Sequence, residues 1–202
     1  MTGWIGLIAF AAGGLLIAHF FDELYSALRT WWRGTPVLSA HFSPKGGCMA
    51  VIVTELAAAR HEVLVQAYSF TCPEIAKALV AAAGRGVRVS VLLDRSNEAE
   101  SYSELGDLAG HHIDVMIDAS HAIAHNKVMV IDGRTVLTGS FNFTRQAEHE
   151  NAENLLVLRN HRELAAQYKA NFHVHRGHSQ APGTVHAARV PAHGRDHARA
   201  HA

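Results

Sequence analysis

The sequence predicts an α/β domain built on a mixed, mostly parallel sheet with helices on both faces, preceded by an N-terminal hydrophobic helix. Three observations point there. Between residues 35 and 175, short β-branched runs alternate with helical runs; Gly and Pro punctuate the junctions; and Gly3 to Phe21 carries no charged residue. The 202 residues suffice for one full domain, and a content of 49% hydrophobic against 18% charged residues excludes a wholly disordered chain.

Each element follows from local pattern. Val37–Phe42 starts the sheet. Ser43-Pro44 reads as an N-cap and helix-opening proline, leading into apolar positions through Ala59. Glu62–Ser69 (EVLVQAYS) is a strand, and Thr71-Cys72-Pro73-Glu74 is a capping-box pattern opening a helix that Gly84 or Gly86 ends. Val87–Leu93 is an apolar run suited to a central parallel strand. A weaker helix over Glu98–Leu108 precedes a further strand at Ile113–Ile117. No internal repeat is visible.

Three regions are expected: an N-terminal membrane anchor or signal segment over 1–34, a catalytic domain over 35–175, and a disordered His/Arg-rich tail over 176–202. Residues 3–21 would rise ~28 Å as a helix, about one hydrocarbon core, with Tyr25, Trp31, Trp32 and Arg33 as an interfacial flank. A cleaved signal peptide and a buried helix compete with the anchor, but no Lys or Arg precedes the stretch and no clear A-x-A site follows it. Arg29 and Arg33 behind the span favour a cytoplasmic body, with a periplasmic or secreted one if the segment is cleaved. The tail lacks apolar periodicity. Formal net charge is zero, divided as 12 basic and 15 acidic residues (net −3) in 35–175 against +3 in the tail, which excludes a highly basic nucleic-acid coat protein. Cys48 and Cys72 are too few for a disulfide scaffold, and whether they pair is open.

The chemistry concentrates in Ala122–Leu158. His125, Lys127 and Asp132 stand in the spacing H-x-K-x4-D, followed by Gly139-Ser140-Phe141-Asn142 and then Glu153. The composition gives about 0.01 chance occurrences of the first triplet. Strand parity puts His125 and Lys127 on one face and Asp132 on the other. A two-residue Asp132-Gly133 hairpin would set Ser140 opposite His125 and Asn142 opposite Ile123, gathering imidazole, ammonium, hydroxyl and amide on a surface suited to phosphate. Asp132, of the other parity, is expected to fix the turn or neighbouring backbone, and Glu153 is a candidate orienter of the His125 ring.

These residues resemble the phospholipase D superfamily, whose signature is H-x-K-x4-D-x6-G-S-x-N, and in particular its small one-motif members, bacterial endonucleases and the mitochondrial cardiolipin hydrolase. The likeness covers roughly residues 40–172. It implies a phosphodiesterase working through a phosphohistidine, with His125, Lys127, Asp132, Asn142 and Glu153 as catalytic candidates and Lys127, Ser140 and Asn142 as substrate contacts. It further implies no metal or other cofactor, and a homodimer sharing its site, because one motif supplies one histidine where the mechanism needs a nucleophile and an acid. The substrate is nucleic acid or phospholipid, with broad endonuclease action favoured and a catalytically idle binding scaffold as a third reading. Ser140 lacks the G-x-S-x-G elbow of a serine hydrolase, and no spaced His/Cys/Asp ligand set accompanies the motif. His111, His112 and His121 read as solvated or structural, and the tail histidines continue the run His173, His175, His178, which could bind a transition metal adventitiously, the tail itself reading as a solvated low-complexity extension.

Overall fold

The computed structural model describes residues 17–28, 34–99, 103–111 and 113–183, in two compact units, Met1–Val37 and Leu38–Ala202. In the first unit residues 17–28 form helix α1, along which Ile17, Phe20, Phe21, Leu24, Tyr25 and Leu28 are exposed. The expected membrane anchor is not upheld: among the described residues no helix is long and apolar enough to cross a membrane. Helix α1 contains Asp22 and Glu23, and the rest of the expected span, residues 3–16, lies outside the described residues, as do 184–202 of the tail.

In the second unit the elements run β1 (Val37–Phe42), α2 (Cys48–Ala58), β2 (Glu62–Ala67), α3 (Pro73–Gly84), β3 (Arg88–Asp94), α4 (Ser96–Ala99), α5 (Leu105–Ala109), β4 (Asp114–Asp118), β5 (Lys127–Ile131), β6 (Thr135–Gly139), α6 (Arg145–His149), β7 (Asn154–Arg159) and α7 (Arg162–His178). The strands make one seven-stranded mixed sheet in the order β1-β7-β6-β5-β2-β3-β4. Its β2-β3-β4 part is parallel, joined by helical crossovers, while β5 pairs antiparallel with both β2 and β6, and β6 with β7. Helices cover both faces, as expected. Alternate residues Val63, Val65, Val91, Leu93, Met129 and Ile131 pack with Ile52, Leu56, Ile75 and Leu79 of α2 and α3. The intervening Leu64, Leu92, Val128, Val130 and Val136 pack with Ala165 and Phe172 of α7.

Three local expectations shift. Helix α2 begins at Cys48 behind Gly47 (φ 80°), not at Pro44, because the buried Glu148 carboxylate accepts the N–H groups of Gly47 (2.9 Å) and Met49 (2.8 Å) from across the fold. Ser43 instead donates its hydroxyl to the Asn151 carbonyl at 3.0 Å. Helix α3 opens at Pro73, one residue later than a capping box led by Thr71 places it, with Cys72 in the N-cap place and no side-chain cap. Helix α7 runs through Arg176, Gly177 and His178, and Gln180 then exchanges backbone hydrogen bonds with Ile117, so ordered structure continues beyond residue 175. Cys48 and Cys72 are free, buried thiols, and burial pushes both up to about 11.

Candidate active site

The predicted residues other than Asp132 gather at the end of the sheet where the parallel strands β2, β3 and β4 finish, the edge where α/β sheets place their ligands. His125 sits just before β5 rather than within it, since pairing with β2 begins at Lys127 opposite Ala67. Residues 122–126 form a rail pinned at every second position. The Arg95 guanidinium donates to the Ala122 carbonyl at 3.1 Å, the Ala124 N–H donates to the Asp94 carboxylate at 2.7 Å, and the Tyr68 N–H donates to the Asn126 carbonyl at 2.9 Å. Ala124, between them, is buried, while Ile123 and His125 face out. An exposed imidazole is thereby displayed on a fixed backbone.

Lys127 differs from His125 in that it is buried, with 7% of its surface exposed. Its Nζ donates to the His125 carbonyl at 2.9 Å and stands 5.0 Å from the centre of the Tyr68 ring, which itself lies 4.7 Å from the His125 ring. Burial lowers the Lys127 pKa from the ordinary lysine value, and the negative charge of Glu153 partly opposes that shift. Glu153 is held by its own backbone, whose N–H and carbonyl bond Ser43 at 3.2 and 3.0 Å, and its carboxylate accepts from the Asn151 amide at 3.0 Å. Among the described residues no hydrogen bond joins Glu153 to His125, and Glu153 bears on Lys127 through its charge.

The Gly139-Ser140-Phe141-Asn142 segment leaves the same sheet end. A side chain at Gly139 would collide with the Asn154 carbonyl oxygen, so only glycine lets β6 and β7 close here. Phe141 and Phe143 sink into the core, leaving Asn142 between them with a buried carboxamide oxygen that has no hydrogen-bond partner among the described residues.

Ser140 is not opposite His125. The Arg134 N–H donates to the Ile131 carbonyl across the Asp132-Gly133 turn (φ 52° and 59°), yet the ladder pairs Ile131 with Thr135. Arg134 is therefore an extra residue, its carbonyl taken by His161 at 2.9 Å, and the register moves by one. The Ser140 hydroxyl turns to β7, accepting the Asn154 N–H at 3.0 Å, and the alignment of Asn142 with Ile123 fails for the same reason. Asp132 lies at the far end of β5, where its carboxylate accepts the N–H groups of Arg60, His61 and Glu62. Burial opposes its ionisation, but these donors outweigh it and hold the pKa below the ordinary aspartate value.

Sequence reasoning missed Tyr68, Asp94 and Asn97. The Asn97 side chain is buried and donates to the Tyr68 carbonyl (2.6 Å) and the Asp94 carbonyl (3.0 Å), joining the supports of the rail. A usable signal existed: Tyr68 is the penultimate residue of the run read as a strand at Glu62–Ser69, and Asp94 directly follows the run Val87–Leu93, both at a C-terminal strand edge.

The fold and this set of residues define a phosphodiesterase, a hydrolase acting on ester bonds. The chain belongs to the phospholipase D-like family: residues 52–176 match the family model described as "Cardiolipin synthase, PLD-like domain". It is 44% identical over 135 residues to a phospholipase D of Rickettsia felis, 67% of each chain, and 39% identical over 105 residues to the mitochondrial cardiolipin hydrolase of Xenopus tropicalis, 52% of this chain and 50% of the other. Among solved structures it superposes on Nuc, a phospholipase D family member of Salmonella typhimurium, with TM-score 0.71 and 34% identity, covering 72% of this chain and 97% of that one.

Proposed function

We propose that the protein is a metal-independent nuclease of broad sequence preference, cleaving DNA or RNA through a phosphohistidine, and that two copies share one active site. The observation that supports it most is the exposed His125 imidazole on its pinned rail, beside the desolvated Lys127 ammonium. An imidazole nitrogen of His125 attacks phosphorus; the P–O bond to the leaving group breaks, and that oxygen takes a proton from an imidazolium. Water then attacks the phosphohistidine, gives its proton to the now neutral second imidazole, and the N–P bond breaks. Lys127 offsets charge on the phosphoryl oxygens and the Nδ2–H of Asn142 donates to them, which is the work a metal would otherwise do. Among the described residues no second histidine ring contacts His125, so the acid is assigned to His125 of a second protomer across a two-fold axis.

The choice of nucleic acid rests on the resemblance of the motif and its surrounding sequence to the small one-motif endonucleases. A second reading, hydrolysis of a phospholipid, is favoured by relatives named phospholipase D and cardiolipin hydrolase. The full chain incubated with plasmid DNA, single-stranded RNA and cardiolipin vesicles in EDTA decides between them. Nicked plasmid or shortened RNA is expected, and cleavage of lipid alone overturns the nuclease.

A further inference from the structure

Histidines that read as scattered along the sequence converge in space. Asp118 ends β4 and is buried, with 2% of its surface exposed. Its carboxylate meets His121 Nδ1 at 3.2 Å, His175 Nδ1 at 2.7 Å and His178 Nε2 at 3.4 Å. The three imidazoles surround that point, with ring centres 4.9 Å (His121 to His175), 5.1 Å (His121 to His178) and 5.3 Å (His175 to His178) apart. One ligand atom from each of the four residues falls within 4.8 Å of all the others. No contiguous motif advertises this, because Asp118 and His175 are 57 positions apart.

We propose that Asp118, His121, His175 and His178 form a structural zinc site. Three imidazoles and one carboxylate suit zinc among divalent ions, and four protein ligands make a closed site with no place for a reacting water. Ligand atoms of tetrahedral zinc lie about 3.4 Å apart, given bonds of about 2.0–2.1 Å, so small rotations of these side chains complete the shell. The backbone already sets the four residues for it. His175 and His178 stand one turn apart on the last turn of α7, on one helix face. The paired hydrogen bonds between Ile117 and Gln180 (2.7 and 2.9 Å) hold the end of that helix against β4. The Ser120 N–H donates to Asp118 at 3.1 Å, and the Ser120 hydroxyl donates to the His178 carbonyl at 3.3 Å, ordering the turn that presents His121. The carboxylate is deeply buried while His121 is the most exposed ligand, which leaves an entry path for the ion. The role follows from position. His121 begins the segment that continues to His125, so the ion ties the base of the catalytic rail to α7.

The test uses the full chain, expressed without an added histidine tag and stripped in chelator. Zinc is titrated against a competing chromophoric chelator, with melting temperature followed in parallel. One tight equivalent per chain is expected, with a rise in melting temperature complete at that equivalent; cobalt(II) should show the visible bands of four-coordinate geometry. The double variant His121→Gln, His178→Gln changes two partly exposed residues and should keep a native circular-dichroism spectrum while losing the tight equivalent and the thermal shift. A full chain with His173, His186, His193, His197 and His201 all changed to Gln should keep both. Three results would each overturn the proposal: no tight equivalent in folded wild type, a tight equivalent that survives the double variant, or one that disappears with the tail histidines.

Discussion

The two ends of β5 carry the same sequence motif to opposite purposes. At the Lys127 end the fold leaves groups underused: an exposed imidazole, a buried ammonium bonded to a single carbonyl, and in the segment after β6 the Asn142 amide oxygen, which has no hydrogen-bond partner among the described residues. At the Asp132 end the carboxylate is satisfied, accepting the N–H groups of Arg60, His61 and Glu62. A strand rises about 3.3 Å per residue, so β5 separates the two by more than the reach of any side chain. On the proposed mechanism the first end acts on the substrate, while the other locks β5 to the start of β2. Motif membership therefore does not imply a shared task.

The largest expected effect is at the reactive end. His125→Ala should reduce hydrolysis of a bis-aryl phosphodiester at least 10³-fold, comparable to removal of an enzymic nucleophile, and leave the circular-dichroism spectrum native because the ring is exposed. Wild-type and His125→Ala chains, mixed equally and allowed to exchange, should retain about one quarter of the activity if both imidazoles serve one site. Retention near one half, with exchange verified by mass spectrometry, would refute the shared site.

Lys127→Met should come next, lowering kcat about 10²–10³-fold, the range for losing one transition-state donor. Stability should hold or rise, since burial penalises the charged lysine and methionine fills a similar volume. The sign is specific. A lysine whose folded pKa lies below its unfolded value destabilises the fold while protonated, and that penalty is relieved as pH rises through the folded value. The alkaline decline of kcat should begin below the ordinary lysine range and vanish from the pH profile of the residual Lys127→Met activity.

Asp132→Asn should invert that pattern, with kcat within about threefold of wild type and stability lowered by about 1–3 kcal/mol at pH 7. Asparagine tolerates the left-handed backbone at this position, so the loss isolates the charge. A carboxylate with a depressed folded pKa stabilises the fold above its unfolded pKa and loses that contribution as pH falls through the folded value. Urea midpoints of wild type and variant should thus converge in strong acid. A large loss of kcat with no loss of stability would break the division of labour between the two ends.

The sequence made one side of this comparison legible. Strand parity separated Asp132 from His125 and Lys127, and the runs read at Val37–Phe42, Glu62–Ser69 and Val87–Leu93 fall within two residues of the observed strands Val37–Phe42, Glu62–Ala67 and Arg88–Asp94. What escaped depends on contacts between distant residues. The extra Arg134 follows from a carbonyl diverted to His161, the start of α2 from Glu148, and the fixing of His125 from Asp94 and Tyr68. Asp118 and its histidines belong to the same class, since neither half of that cluster is a motif alone.

Tyr68 gives the finest test of the reactive end. Its ring faces both His125 and the Lys127 ammonium, while its own N–H holds the rail at Asn126 and is unaffected by side-chain substitution. The ring can therefore be changed without releasing the backbone. Tyr68→Phe keeps the aromatic face and should leave kcat within about twofold. Tyr68→Leu removes the cation–π contact and the packing against His125, together worth about 0.5–1.5 kcal/mol, and should lower kcat about 2- to 13-fold. If the ring acts by supporting the charged lysine, its loss should also bring the alkaline decline of kcat to lower pH, because deprotonation then forfeits less. A Tyr68→Phe variant as impaired as Tyr68→Leu would show that the phenol hydroxyl, rather than the ring, is what the site uses.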